Sequence, residues 1–224
     1  MRTIIYVDGY NLFYSLLTGS PYKWLDLYTL FDHCIIKQIE PKTETILVKY
    51  FTAPVLGSLA SDPEAEPRQA HYHRALKATG KVEIIKGFHQ KAITTGIPIP
   101  AQGEKNSQGK VQVQIMEEKQ TDVNIGLHMY RDIMLGNCDQ IVLCSNDADL
   151  EPALEMIKSD CQKGRIGVIL PRRNDTDRKA TRLLRHAHWK RQIIKDEELE
   201  QSQLPEHLLD HRNRTIKRPE KWQP

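Results

Sequence analysis

Four aspartates stand where short apolar runs end, and their types and spacing suit the chemistry of hard cations. Ile4-Ile5-Tyr6-Val7 is followed by Asp8-Gly9-Tyr10-Asn11, and Ile141-Val142-Leu143-Cys144 by Ser145-Asn146-Asp147-Ala148-Asp149. A carboxylate directly after a buried strand is costly to desolvate unless a cation or a strong hydrogen-bond set lies nearby. A further acid comes from Glu117-Glu118-Lys119-Gln120-Thr121-Asp122-Val123, where a strand gives way to a helix running on through Ile125, Met129 and Ile133. Asp122 then sits in the first helical turn, favourable against the helix dipole. With Thr121 as the cap instead, Asp122 is a plain first-turn acid. Singly, each aspartate reads first as a cap or turn residue. Together at one sheet edge they would repel one another unless divalent cations occupied the cleft. Oxygen-only ligands favour Mg²⁺ or Mn²⁺ over Zn²⁺. Such ions complete their shells with water and phosphate, so the chemistry indicated is phosphodiester hydrolysis.

The elements that must position these acids alternate between strand and helix, which points to parallel strands joined by helical crossovers. Apolar, β-branched runs predict strands over Thr3–Val7, Thr45–Phe51, Lys81–Phe88, Ile141–Ser145 and Arg165–Leu170, with Ile193 and Ile194 closing a last short one. Helical spacing predicts Asn11–Leu17, Asp26–Ile39, Glu64–Ala78, Leu150–Ser159 and a basic helix over Asp177–His186. In such a sheet ligands bind beyond the carboxyl ends of the strands, where Asp8 and Asp147 stand. The segment of about 89–115 is rich in Gly, Pro, Gln and Lys, and Val111, Val113 and Ile115 alternate with Gln112 and Gln114. It reads as an inserted hairpin or flap.

The runs Asp8-Gly-Tyr-Asn11-Leu12, Glu118-Lys119-Gln-Thr-Asp122-Val123 and Ser145-Asn-Asp147-Ala-Asp149, in this order, resemble the NYN family. That family has a PIN-like, FLAP-nuclease-related fold and includes the LabA/DUF88 proteins. The motifs span the first two thirds of the chain. The resemblance implies an α/β, PIN-like three-layer sandwich, its mainly parallel central sheet flanked by helices. It also implies a metal-dependent ribonuclease with Asp8, Asp122, Asp147 and Asp149 as metal ligands. Asn11 would position Asp8 or the substrate, Ser145 would hydrogen-bond the site, and Lys119 would contact phosphate or trim the negative field. The chain departs from the family pattern where Asn146 replaces a Gly, where Leu150 replaces an aromatic, and where Gln120-Thr121 replaces a Gly-Val pair.

Composition bounds the rest. The 224 residues, 39% hydrophobic and 27% charged, fit one domain over 1–195 and a polar tail over 196–224 that reads as a helix fragment and a frayed end. No apolar run approaches the ~20 residues that cross a bilayer, and no signal-peptide core precedes Asp8, so a cytoplasmic protein is expected. Cys34, Cys138, Cys144 and Cys161 lack C-x-x-C spacing and read as thiols in a reducing compartment. The net charge of +3 is uneven. Between Arg172 and Lys195, nine basic residues, among them Arg172, Arg173, Arg178, Lys179 and Arg182, face only Asp175 and Asp177. Such a band would draw a polyanion, or be merely a solvated helix face.

Decoys fall away: five residues rather than four separate Gly103 from Gly109, Val111 stands where a P-loop needs Ser or Thr, and no G-x-G-x-x-G follows the first strand. The expected partner is RNA, single-stranded or structured, with a homo-oligomer left open. A non-catalytic RNA-binding or scaffolding module of the same fold is the rival reading. It gains nothing from acids facing phosphate.

Overall fold

The structure, a computed structural model, describes residues 1–55, 62–98, 109–174 and 181–223. In chain order it contains β1 (Arg2–Asp8), α1 (Gly9–Leu12), wider π-type turns over Phe13–Leu17 and Thr29–Ile36, α2 (Lys37–Ile39), β2 (Glu44–Thr52), α3 (Ala65–Ala78) and β3 (Val82–Lys86). There follow β4 (Phe88–Gly96), β5 (Val111–Lys119), α4 (Thr121–Met134), β6 (Gln140–Cys144), α5 (Glu151–Asp160), β7 (Arg165–Ile169), α6 (Thr181–Leu184), β8 (Trp189–Arg191), α7 (Asp196–Gln201), β9 (His207–Leu209) and β10 (Thr215–Lys217).

Six of these strands form one parallel sheet in the order β3-β2-β1-β6-β7-β8. Alternation along β1 divides the core between its two faces. Ile5 and Val7 pack with Val48, Val142, Trp24, Leu30, Phe31, Tyr72 and Leu76, beneath the first helical turns and α3. Ile4 and Tyr6 pack with Leu143, Val168, Ile125, Met129, Leu154 and Ile157, beneath α4 and α5. The result is the expected α/β sandwich of helices on both faces of a parallel sheet, whose central strands are apolar because neither face sees water.

The order reverses at β1, which lies between β2 and β6. Strands grow outward from β1 to β3 on one side, and the chain then crosses to β6 on the other. That switch leaves a crevice beyond the carboxyl ends of β1 and β6. Val7 pairs with Cys144, so Asp8 and Ser145 leave the sheet side by side.

The inserted segment is a hairpin, with β4 and β5 pairing antiparallel from Phe88↔Lys119 to Gly96↔Val111. Its root reaches the crevice at Gly87. A Cβ there would meet the Lys119 carbonyl and the Thr121 hydroxyl at 2.6 Å, so only glycine lets the turn that carries Asp122 close on the sheet.

Three sequence expectations change. The last sheet strand is β8, not Ile193–Ile194, because the Trp189 indole lies over Gly167 and donates to the buried Gln140 at 2.9 Å. Of the helix expected over Asp177–His186, Thr181–Leu184 is helical, and residues 175–180 lie outside the described residues. The segment after 195 is no frayed tail. Leu199, Leu204 and Ile216 are buried in the core, β9 and β10 pair, and Trp222 packs on Tyr72. Each buried aliphatic chain contributes roughly 1.5–3 kcal/mol, which outweighs the polar character of the residues around it. Among the described residues, no helix is long and apolar enough to cross a membrane.

Candidate metal centre

Asp8 ends β1 and caps α1, its Oδ1 accepting the Asn11 amide at 3.0 Å. Gly9 allows this, since a Cβ there would meet the Tyr50 ring and the Phe51 carbonyl at 2.6 Å. The other carboxylate oxygen, Oδ2, accepts the Ser145 hydroxyl at 2.9 Å. Ser145 Oγ in turn accepts the Asp147 amide at 3.0 Å, and Asp147 Oδ1 accepts the Asp149 amide at 2.9 Å. Asn11 Oδ1 accepts the Asn146 amide at 2.9 Å, tying the loop after β6 to α1. Two strand ends are thus laced together by side chains of the sequence motifs themselves.

Across the crevice, Asp122 lies in the first turn of α4, with Gln120 in the N-cap position. Gln120 holds a left-handed backbone at φ 74°, a conformation that a side-chain-bearing residue adopts at a cost. The Thr121 hydroxyl is turned to Glu118, so the reading of Thr121 as cap is not realised.

One carboxylate oxygen from each of Asp8, Asp122 and Asp147 lies within 4.8 Å of the others. Asp8 is buried, Asp147 half-buried and Asp122 exposed. Burial pushes Asp8 up to about 6, against the bonds from Asn11 and Ser145 that favour its charged form. Asp122 is also raised, first by burial and then by the charges of Asp147 and Asp149. The donor set is all oxygen and all anionic, in a cleft of about 340 Å³ at the sheet's switch point. That chemistry fits Mg²⁺ or Mn²⁺, and Asp8, Asp122 and Asp147 are the residues that would hold the ion.

The remaining expected residues fall in different places. Asp149 stands outside the close group, because its 3₁₀ turn directs its amide at Asp147 and leaves its carboxylate exposed. Lys119 pairs with Glu117 and does not line the cleft. Strand alternation instead turns Glu118 inward, where burial raises it above the usual carboxylate range. Sequence reasoning passes over Glu118 as a site residue, although two adjacent acids at a strand end signal that one must face in.

Of the described residues in the basic band, Arg172 is buried and Arg191 half-buried, while Arg173, Arg182, Arg185, Lys190 and Lys195 are exposed. Arg172 donates to the Gln192 carbonyl at 2.9 Å and to its side-chain amide oxygen at 3.1 Å, so it braces the β7 end and is not a surface cation. Arg173 donates to the Leu16 carbonyl at 3.1 Å and pairs with Asp196 at 3.2 Å. Arg182 is exposed, with Glu151 at 3.9 Å. Arg178 and Lys179 lie outside the described residues.

A six-stranded parallel sheet with carboxylates gathered at its switch point defines a PIN-like α/β protein. Residues 2–188 match the family model described as NYN domain, and the chain belongs to the NYN family, whose domains are generally nucleases. It is also 38% identical over 238 residues to 6-hydroxy-3-succinoylpyridine 3-monooxygenase HspA of Pseudomonas putida (strain DSM 28022 / S16), covering 99% of this chain and 75% of that protein. Among solved structures it is similar to a protein of unknown function from Vibrio parahaemolyticus RIMD 2210633, at 19% identity and a TM-score of 0.50, covering 88% of this chain and 94% of that one. The latter likeness concerns the fold alone.

Proposed function

We propose that the protein is a divalent-metal-dependent ribonuclease acting at the Asp8–Asp122–Asp147 cleft. The observation that carries this reading is the convergence of the three carboxylates within 4.8 Å, an arrangement that costs the apo-protein stability and suits a cation. A bound Mg²⁺ or Mn²⁺ supplies charge neutralisation at a phosphodiester and acidifies a water molecule. The chain's own residues do the rest. Ser145 and the Asn11 amide hold Asp8 in one rotamer, with both oxygens directed. Glu118, beside Asp122 and with a raised affinity for protons, is placed to accept a proton from attacking water. Arg182, together with Arg178 and Lys179, would contact the RNA backbone. Asp149 would tune the field at Asp122.

A second reading is monooxygenation of a small heteroaromatic acid. The activity named for the 38%-identical relative favours it. In that chemistry one oxygen atom of O₂ enters the ring and the other leaves as water, which requires a two-electron donor.

One experiment separates the two. Purified protein with Mn²⁺ is expected to shorten single-stranded RNA, and Asp147→Asn to abolish that cleavage while leaving the melting profile cooperative. Undiminished cleavage by Asp147→Asn refutes the ribonuclease assignment. Oxygen uptake dependent on 6-hydroxy-3-succinoylpyridine and a two-electron reductant, without RNA cleavage, establishes the second reading in its place.

A further inference from the structure

A larger cavity, of about 680 Å³, lies beside the carboxylate cleft and shares Tyr10 and Tyr14 with it. Its walls are aromatic, and the rings are held in place. Tyr10 donates to the Ala53 carbonyl at 3.2 Å and meets the edge of His89 with ring centres 5.6 Å apart. Tyr72 is buried and donates to the Leu25 carbonyl at 2.7 Å, and Trp222 stands edge-on to it at 5.8 Å. Tyr14 lies 5.8 Å from Tyr10 and is 66% exposed. The volume is that of a small-molecule site.

The lining also carries charge of one dominant sign. Lys23, Arg68 and Lys221 contribute three cations against one carboxylate, Asp62. Arg68 and Lys221 both pair with that carboxylate, and Lys23 has no ion pair among the described residues. An aromatic box with surplus positive charge selects a ligand that is flat at one end and anionic at the other.

We propose that this cavity binds a planar heteroaromatic ring bearing an anionic arm, the ring against Tyr14 and Trp222 and the arm against Lys23. Because Tyr10 and Tyr14 border both spaces, a ring seated here lies next to the Asp8–Asp122–Asp147 cleft. Two sources supply this chemistry: a nucleotide, with its base in the box, and a free heteroaromatic carboxylate. The site is defined by its own walls and holds whichever reaction the neighbouring carboxylates perform.

The test is calorimetric titration of the full chain without divalent metal, with adenosine 5′-monophosphate, nicotinate and ribose 5-phosphate as probes. One or both ring-bearing probes are expected to bind, and Lys23→Glu and Tyr14→Ala are each expected to weaken that binding at least tenfold. Asp147→Asn is expected to leave it unchanged. Binding by the monophosphate alone assigns the site to nucleotides, and binding by nicotinate alone to free acids. Three results overturn the proposal: neither ring binds at millimolar concentration, ribose 5-phosphate binds as tightly as the ring-bearing probes, or both variants bind like the parent. Lys23→Glu changes a partly exposed side chain, so loss of binding there with an unchanged melting temperature is not a folding defect.

Discussion

The hydroxyl of Ser145 donates to Asp8 Oδ2 at 2.9 Å, so the end of β6 holds the carboxylate at the end of β1 in place. Ser145 Oγ also accepts the Asp147 amide at 3.0 Å, which makes Ser145 the hinge between two of the three close acids. Hydrogen-bonding groups behind metal ligands typically account for ~10–100-fold in affinity or activity. Ser145→Ala is therefore expected to lower Mn²⁺-dependent turnover in that range and to move the acid limb of the pH–rate profile upward, since Asp8 loses a bond that favours its charged form. An unshifted limb would mean that Asp8 does not set it.

Gln120 carries a different signature. Its left-handed backbone costs a side-chain-bearing residue ~1–2 kcal/mol. Glycine avoids this cost but has more conformational entropy to lose on folding. Gln120→Gly is thus expected to stabilise the protein by about 0.5–1 kcal/mol in urea unfolding, with the slope unchanged. Destabilisation would show that the Gln120 side chain makes up the strain through contacts of its own.

That position also illustrates what is legible from sequence and what is not. The acids after β1 and β6 can be found because a strand buried on both faces is an apolar run, and its end is marked by the first charge. Which of Glu117, Glu118 and Lys119 faces inward depends on register within β5, set by its pairing with β4 across residues far apart in sequence. The charge of Arg172 and Arg173 is countable, but not where each guanidinium ends. Gln192, Leu16 and Asp196 take them, and none of those partners carries a sequence signal. The chain after 195 reads as unanchored because Leu199, Leu204 and Ile216 lack helical or strand spacing, yet each finds the core. Asn146, which replaces a Gly of the family pattern, has no positive φ, and the left-handed conformation falls at Gln120 instead.

Lys49 and Asp132 form a buried ion pair on the face of the sheet under α4. Tyr6 donates to the same carboxylate at 2.8 Å and Asn137 at 3.0 Å. Burial opposes its ionisation, but the bonds from Lys49, Asn137 and Tyr6 prevail and hold Asp132 below the usual carboxylate range. A depressed carboxylate stabilises the fold above its unfolded titration, near pH 4, and the contribution is lost as pH falls. Lys49→Met removes the partner charge and is expected to cost roughly 3–5 kcal/mol at pH 7. The penalty should shrink below about pH 4, where Asp132 becomes protonated in the variant. A penalty equal at both pH values, measured by urea unfolding, would assign the loss to packing.

The opposite sign holds at Asp8. Its folded-state value of about 6 lies above the ordinary ~3.9, so the folded apo-protein binds the proton more tightly than the unfolded chain does. Below about pH 4 the group is neutral in both states and costs nothing. As pH rises through 6 the buried charge forms, and the fold loses roughly 3 kcal/mol from this residue. A divalent cation bound at the three carboxylates reverses that loss, but only where it need not displace the proton. The rise in melting temperature on adding Mn²⁺ should therefore be small at pH 5 and large at pH 7.5. Asp8→Asn should abolish the rise at both pH values, and without metal it should be more stable relative to the parent at pH 7.5 than at pH 4.5. Calorimetric melts of both proteins, with and without Mn²⁺, decide it. An equal Mn²⁺ effect at the two pH values, or one that survives Asp8→Asn, would place the ion away from the β1–β6 crevice.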